Sequence, residues 1–222
     1  MTIRMTKTRG LAAGAAAVTV AAIAGCAAST PAIDYDAATR QMMQRSFRDQ
    51  GIAKVDRLQQ DEADAACSKA LGAPLPDATR AAIEAANAKT IKLPSDGQFI
   101  GDWKAGEALA QNGRGMTWSD ASAAPSANGG NCYNCHQITK AEISYGTIGP
   151  SLYQYGKLRG VADPAAPAAR PIVEYTWGKL WNAKATNACS GMPRFGHHQL
   201  LDETQLKNLM ALLLDPKSPV NQ

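Results

Sequence analysis

The sequence Cys132-Tyr133-Asn134-Cys135-His136 decides how the rest of this chain is interpreted. In exported proteins, a Cys-x-x-Cys-His run is typical of covalent haem attachment. Two thiols at this spacing reach the two vinyl groups on one edge of a porphyrin and form thioether bonds. The histidine that follows then lies beneath the iron and becomes its proximal ligand. We therefore predict one covalently bound haem, a heme c group, held by Cys132, Cys135 and His136.

Two other uses of paired cysteines fit this sequence less well. A structural zinc site needs four ligands, usually as two paired sets, and the remaining cysteines, Cys26, Cys67 and Cys189, form no second pair. A thioredoxin-like dithiol lies in a strand-to-helix context near a βαβ pattern. The sequence around the motif shows neither feature.

Residues 1–25 have the arrangement of a secretory signal, because three basic residues and no acid precede an apolar run over residues 11–24. The run ends at Ile23-Ala24-Gly25-Cys26, which resembles a bacterial lipobox, in which the cysteine is lipidated and becomes the mature N-terminus. Ordinary cleavage within the small residues just beyond is the alternative. We expect a periplasmic protein, anchored to a membrane face through an acyl chain if Cys26 is lipidated.

Charge and length limit the classes of function. The whole chain carries a formal charge of +4, and three positive charges leave with the signal, so the mature chain is near +1 (4 − 3). This balance argues against nucleic acid, whose binding proteins present a basic patch. The mature chain of 197 residues (222 − 25) is enough for one or two small domains. After the signal, no apolar stretch approaches the ~18 residues that a membrane span requires.

Residues 26–98 predict an N-terminal helical extension, with helices over 36–50, 54–71 and 77–89 and an N-cap at Asp77. These helices have too few large apolar residues to build their own core. We expect them to pack along the main domain or a partner; the alternative is a partly disordered spacer. Export favours a disulfide between Cys67 and Cys189, which would clamp the extension beside the loop at Met192. The alternative is two buried free thiols.

The remaining segment, residues 99–222, is predicted to be the haem domain. Asp102 is a predicted N-cap, followed by Trp103, Gly106 and Ala110 on one helix face, and the small Gly106 would allow a second helix to approach closely. Residues 112–130 are rich in Gly, Ser, Ala and Asn and predict a surface loop. The turn-rich run over residues 146–152 should wrap the proximal side of the haem, where the carbonyl of Pro150 can accept the Nδ1 proton of His136.

Two later helices complete the predicted domain. Residues 173–182 form a short helix candidate whose Trp177 and Trp181 we assign to the core against the porphyrin face. Residues 202–214 predict a helix with a capping-box pair at Asp202 and Gln205. Its buried stripe comprises Leu206, Leu209, Met210, Leu213 and Leu214.

Met192 is the predicted distal iron ligand, because it lies in a Gly-Met-Pro turn between these two helices. His/Met ligation raises the reduction potential. Met116 and Met210 are less suitable, since one lies in a polar loop and the other in the buried stripe. His197 or His198 would give the bis-histidine alternative.

A helix before the motif, a methionine loop after it and a C-terminal amphipathic helix predict an all-α fold of the class I cytochrome c type. The resemblance is more specific in five segments, which are residues 146–153 (Gly-Thr-Ile-Gly-Pro-Ser-Leu-Tyr), 155–157 (Tyr-Gly-Lys), 192–197 (Met-Pro-Arg-Phe-Gly-His), 212–216 (Leu-Leu-Leu-Asp-Pro) and 218–221 (Ser-Pro-Val-Asn). From about residue 99 onward, the chain resembles SoxX, the monohaem cytochrome subunit of the SoxAX thiosulfate-oxidising complex. The extension and the loop over 112–130 are longer than in the shortest members of that family.

The resemblance implies an electron-accepting, non-catalytic subunit of a complex with L-cysteine S-thiosulfotransferase activity. Its implied partners are a SoxA-type cytochrome subunit, a SoxYZ-type carrier protein and a downstream cytochrome c acceptor. The cysteine count agrees, because haem, lipid and disulfide would leave no free thiol as nucleophile. A partner face is expected at the haem edge near Tyr133, Asn134 and Phe195. The alternatives are a free-standing periplasmic electron shuttle and a haem enzyme or gas sensor with an open distal position.

Overall fold

The computed structural model describes residues 33–222. The predicted secretory signal and the lipidation site at Cys26 therefore lie outside the described residues. The described residues fall into two compact units, residues 33–47 and residues 48–222.

The described part of the first unit contains one α-helix, α1 (Tyr35–Ser46). Asp34 caps its N-terminus by accepting a hydrogen bond from the Ala37 amide at 2.9 Å. The helix stops where Phe47 adopts an extended conformation, so it is shorter than the predicted span of 36–50. None of its residues is buried.

The second unit is built from short helices and long connecting loops. Its α-helices are α2 (Glu62–Lys69), α3 (Asp77–Ala88), α4 (Trp103–Gln111), α5 (Tyr155–Leu158), α6 (Arg170–Trp181) and α7 (Glu203–Leu214). Single 3₁₀ turns lie at Val55–Leu58, Pro125–Ala127, Cys132–Asn134, Pro167–Ala169, Ala183–Ala185 and Pro219–Asn221. Over residues 33–222 the only β-type pairing is an isolated bridge between Gln50 and Ala53. The described part of the chain therefore confirms the all-α class.

Capping residues explain where the helices differ from prediction. The segment predicted as one helix over 54–71 is divided, because Asp61 caps a new helix by accepting a hydrogen bond from the Asp64 amide at 2.8 Å. Asp77 is the first residue of α3 and Pro76 occupies the cap position, so the predicted Asp77 N-cap is wrong. Helix α6 begins at Arg170 instead of 173, since a proline is tolerated in the first turn of a helix.

Helices α4 and α7 cross at very short range. Asp102 caps α4 as predicted, accepting from the Lys104 amide at 3.0 Å. Gly106 faces the backbone of α7, where any added Cβ would collide with the carbonyl oxygen of Asn208 and approach the Leu212 side chain to 3.1 Å. The prediction that Gly106 admits a second helix is confirmed.

Helix α7 is the centre of the core. Its capping box between Asp202 and Gln205 is present, and the predicted apolar stripe is buried along with Ala211 and Leu212. Because α4, α5 and α6 all pack against it, α7 is enclosed on nearly every side.

Residues 87–92, which follow α3, are fastened to α6 by side-chain hydrogen bonds. The indole nitrogen of Trp177 donates to the Lys92 carbonyl at 2.7 Å, and that of Trp181 donates to the Thr90 carbonyl at 2.9 Å. Asn182 also donates to the Asn87 side chain at 2.9 Å. Trp177 is buried as predicted, and both tryptophans also hold the extension. Residues 48–98 thus share one compact unit with residues 99–222.

We predict that Gly106→Ala lowers the free energy of unfolding by about 1–3 kcal/mol, because the new methyl group overpacks the crossing with α7. The loss should occur even though alanine is the better helix former. Urea denaturation followed by circular dichroism measures the change.

The control is Ala105→Val, which adds bulk to an exposed position of the same helix and should cost less than about 0.7 kcal/mol. If both variants lost the same free energy of unfolding, the distance between α4 and α7 would not be limited by the side chain at position 106.

Candidate functional site

The Cys-x-x-Cys-His motif folds as a single tight turn. Asn131 enters it with a left-handed φ of 51°, and Cys132–Asn134 form one 3₁₀ turn. The amides of Cys135 and His136 both donate to the Cys132 carbonyl, at 3.1 and 2.9 Å. The two cysteines form no disulfide, so both thiols remain available for covalent attachment.

The turn-rich segment over residues 146–152 lies alongside the motif, as predicted. Three backbone amides of this segment donate to the motif or to the residue after it: Gly146 to Tyr133 at 2.8 Å, Gly149 to Cys135 at 2.8 Å and Leu152 to Gln137 at 2.7 Å. Each of these bonds fixes the loop at a different point of the motif. The loop and the motif therefore form one rigid element.

The imidazole of His136 is held in a defined orientation by this loop. Its Nδ1 lies 2.7 Å from the carbonyl oxygen of Pro150, which is the predicted hydrogen bond. Since a carbonyl only accepts, the proton lies on Nδ1 and the lone pair lies on Nε2. A Cβ at Gly149 would collide with the ring, so only glycine permits this close approach. The arrangement presents Nε2 as a metal ligand of fixed direction.

The thiol of Cys132 lacks the features of a redox-active dithiol. Cys132 packs against the hydrophobic core, and this burial raises the pKa of its thiol to about 12. Reactive cysteines of thioredoxin-like sites have a lowered pKa instead. Cys132 is therefore a neutral thiol at physiological pH, which disfavours a dithiol redox function.

The donor set of the motif fits a haem better than a bare metal ion. Within residues 33–222, no three His, Cys, Asp or Glu side chains converge closely enough to hold a metal ion. A c-type haem needs no such convergence, because the motif supplies its iron with the histidine alone, while the thiols bond to the porphyrin edge. The oriented Nε2 of His136, the glycine cradle and the two unbridged thiols meet these requirements.

The predicted distal candidates lie in different environments. Met192 is half-buried against the core, and its amide approaches the Ser190 hydroxyl at 3.2 Å. Met210 is fully buried inside α7. The backbone of Met116 has a φ of 64°, and its carbonyl accepts from Arg57 at 2.7 Å. Met192 thus combines partial exposure with an apolar setting, and its ligand role stays a prediction.

His197 and His198 follow the Met192 loop and are exposed. Partial burial of the rings lowers the pKa of both side chains, and the nearby Arg194 lowers it further. Both imidazoles are therefore neutral at pH 7, the form that can bind a metal.

The extension holds the Met192 loop through several contacts. The predicted disulfide between Cys67 and Cys189 is present, with a Cα–Cα distance of 5.5 Å. Lys184 forms an ion pair with Asp64 at 2.9 Å, and Arg194 forms one with Asp61 at 2.6 Å. These ion pairs were not predicted, because no sequence pattern identifies which charged residues will pair when they lie so far apart in the chain.

The expected partner face is corrected at one residue. Phe195 is only 5% exposed and belongs to the core, because the chain turns inward after Arg194 and the Phe195 carbonyl accepts from Leu200. Asn134 is exposed and Tyr133 half-buried. The exposed apolar residues near the motif are instead Ile143 and Ile148, at 98% and 86% exposure.

Comparison with known proteins gives one informative similarity. An uncharacterized lipoprotein of Aquifex aeolicus (strain VF5) is 37% identical to this chain over 137 residues. The matched region is 60% of this chain and 59% of the Aquifex protein, so less than two thirds of that relative is spanned. No protein-family profile matches the chain.

We predict that Gly149→Ala displaces the His136 ring or the 146–152 loop, because the methyl group would occupy the space of the imidazole. The free energy of unfolding should fall by about 1–3 kcal/mol, and the Nδ1 proton resonance of His136 should lose its hydrogen-bonded shift. Urea denaturation and proton NMR measure these effects.

The control is Gly191→Ala, since a Cβ at Gly191 meets no atom within 4 Å. This variant should stay within about 0.5 kcal/mol of the parent. An unchanged His136 resonance in Gly149→Ala would contradict the close packing of Gly149 against the His136 ring.

Proposed function

We propose that this chain is a monohaem c-type cytochrome of the class I fold that transfers electrons. The observation that carries the proposal is the imidazole of His136, oriented by Pro150 at 2.7 Å and cradled by Gly149 within a Cys-x-x-Cys-His turn. A redox-active thiol pair would not require a histidine of fixed tautomer, and a structural zinc site would need a second pair of ligands.

Each residue of the proposed site has a separate role. Cys132 and Cys135 would form the two thioethers, His136 would bind the iron through Nε2, and Met192 would be its second protein ligand. A bound haem supplies one-electron chemistry at the iron. The Pro150 carbonyl keeps the proton on Nδ1 and makes Nε2 a better donor.

The fold supports electron transfer rather than catalysis by this chain. Among the described residues, the free cysteines are Cys132 and Cys135, both assigned to the haem, so no thiol remains as a nucleophile. Oxidative joining of a thiol to thiosulfate releases two electrons, whereas one iron accepts one at a time. The chain would therefore relay electrons singly from a catalytic partner to a further acceptor.

We further propose that the catalytic partner is a SoxA-type cytochrome and that the substrate is carried by a SoxYZ-type protein. This proposal rests on the resemblance to SoxX of residues 146–153, 155–157, 192–197, 212–216 and 218–221. A downstream cytochrome c would be the acceptor. The exposed Ile143 and Ile148 lie shortly after the motif in sequence, and an apolar contact with a partner there would bring a second haem close.

We also propose that the protein is a periplasmic lipoprotein attached through Cys26. The lipobox-like Ile23-Ala24-Gly25-Cys26 supports this, and the similar Aquifex protein is described as a lipoprotein. Within residues 33–222, no helix has the length and apolarity to span a bilayer. An acyl chain would hold the protein at the membrane face.

The haem assignment makes a direct prediction. Protein produced with a c-type maturation system should retain haem after denaturation, and the Cys132→Ser/Cys135→Ser variant should not. The ferric spectrum should show the weak band near the red edge that reports iron bound to methionine sulfur, and Met192→Ala should abolish it. Absorption spectroscopy and mass spectrometry measure these properties.

The matched control is Met116→Ala, since Met116 is half-buried like Met192 and also lies outside the core helix. It should leave the band unchanged. A band that persists in Met192→Ala would overturn the ligand assignment, and loss of haem on denaturation of the parent protein would overturn covalent attachment.

The electron-transfer role is tested by mixing the purified protein with a candidate dihaem partner, the carrier protein and thiosulfate. We expect the haem of this chain to become reduced only when all components are present. If it stays oxidised there but is readily reduced by an unrelated respiratory donor, the free-standing shuttle replaces the subunit proposal.

A further inference from the structure

Arg194 is a buried cation that follows the predicted distal ligand by two residues. It is 8% exposed, and its Nη2 lies 2.6 Å from the Asp61 carboxylate and 3.4 Å from that of Asp64. Asp61 is the N-cap of α2 and Asp64 lies in its first turn, and Asp64 is separated from Arg194 by 130 residues in sequence. Since a buried guanidinium without partners is costly, the chain around Met192 is tied to α2 at this point.

The Asp61 carboxylate, which binds Arg194, is itself held in place on α2. Asp61 is the N-cap of α2, so one carboxylate oxygen accepts the Asp64 amide at 2.8 Å while the other faces Arg194. Burial raises the pKa of Asp61, but the Asp64 amide and the Arg194 guanidinium outweigh it and hold the pKa below its ordinary value. The carboxylate is therefore ionised at neutral pH and cannot rotate away without uncapping the helix.

The same helix also holds the loop on the other side of Met192. Cys67, in the last turn of α2, is bonded to Cys189, three residues before Met192. The four residues 190–193 are thus suspended between two attachments to α2, one covalent and one ionic. Any movement of Met192 away from the core must strain or break one of them.

We propose that Arg194 is a positioning residue that, through Asp61 and Asp64, keeps the Met192 loop closed and so controls how readily Met192 is displaced from the iron. The part that concerns the iron rests on the function proposed above. The fixation of the loop itself is a property of the protein chain and is measurable separately.

In the open state, the Met192 loop has moved away from α2 and Met192 no longer binds the iron. Displacement of Met192 by added imidazole therefore reports the fraction of molecules in this open state. The apparent affinity of a competing ligand is its intrinsic affinity multiplied by the fraction of molecules in the open state. Loss of the Arg194 attachment enlarges that fraction. Arg194→Gln should therefore raise the apparent affinity of the ferric protein for imidazole about tenfold or more.

Asp61→Asn provides a variant that separates the ion pair from the helix cap. Asparagine caps helices as well as aspartate does, so α2 stays capped while the nearer of the two charges facing Arg194 is lost. We expect Asp61→Asn to raise imidazole affinity in the same direction as Arg194→Gln. In the double variant, the fold-increase in imidazole affinity should be much smaller than the product of the two single fold-increases. The reason is that both substitutions remove the same interaction.

The matched control is Arg170→Gln. Arg170 forms an equally short pair with Glu174, at 2.6 Å, but that pair is exposed and lies on α6. Imidazole affinity should not change in this variant. Hydrogen–deuterium exchange of residues 189–196, read by mass spectrometry on all four variants, gives a second measurement that requires no activity. Exchange should accelerate in Arg194→Gln, in Asp61→Asn and in their double variant, and should be unchanged in Arg170→Gln.

Equal imidazole affinity and equal exchange in Arg194→Gln and Arg170→Gln would overturn the proposal. If the parent protein lacks the methionine–iron band, the ligand role of Met192 fails, and the exchange data alone then decide whether Arg194 holds the loop. Accelerated exchange across the whole chain in Arg194→Gln would also overturn it, because Arg194 would then support general stability.

Discussion

The hydrogen bond between His136 and the Pro150 carbonyl is the constraint on which the proposed site depends. It determines the tautomer of the imidazole, and it requires residues 146–152 to lie against the motif. That position is possible only because Gly146 and Gly149 have no side chain: a Cβ at Gly146 would collide with the Asn134 carbonyl, and one at Gly149 with the imidazole. Two glycines and a proline in one short loop thus determine the direction of a single nitrogen lone pair.

The same principle of close approach acts in the core, where Gly106 lets α4 reach the backbone of α7. With few long helices, the unit has limited apolar area for its length, and other interactions supplement the core. The indoles of Trp177 and Trp181 bind the chain at residues 90–92, and a disulfide with a sequence separation of 122 closes a long loop. In the chain-entropy model such a bond contributes about 4–5 kcal/mol, although measured values are often smaller. The extension is therefore part of the folded unit and contributes to its stability.

The features that could be predicted from the sequence are those whose partners lie close together in the chain. The capping box of α7, the Asp102 cap and the Pro150 contact all join residues within 14 positions of one another. The disulfide was predictable for a different reason, because two cysteines remained after the motif and Cys26 were assigned. The indole contacts of Trp177 and Trp181 span 85 and 91 residues, and no local pattern encodes such partners. Phe195 was misplaced for the same reason, since its burial depends on how the chain turns after Arg194.

The two sides of the proposed haem differ in the same way, since one depends on contacts that are local in sequence and the other on contacts between distant residues. The proximal side depends on a segment of about twenty consecutive residues, from Asn131 to Leu152, joined by its own backbone hydrogen bonds. The distal side depends on a loop whose attachments, Cys67 and Asp61, lie more than a hundred residues earlier in the sequence. Opening of the distal loop therefore requires α2 and the loop to separate, whereas the proximal histidine is unaffected by that movement. Because a His/Met pair has a higher potential than an iron that has lost its methionine, the integrity of the contact between α2 and the loop would determine the driving force for electron acceptance. Residues 48–98 would then influence the proposed electron transfer, even though they contribute no ligand.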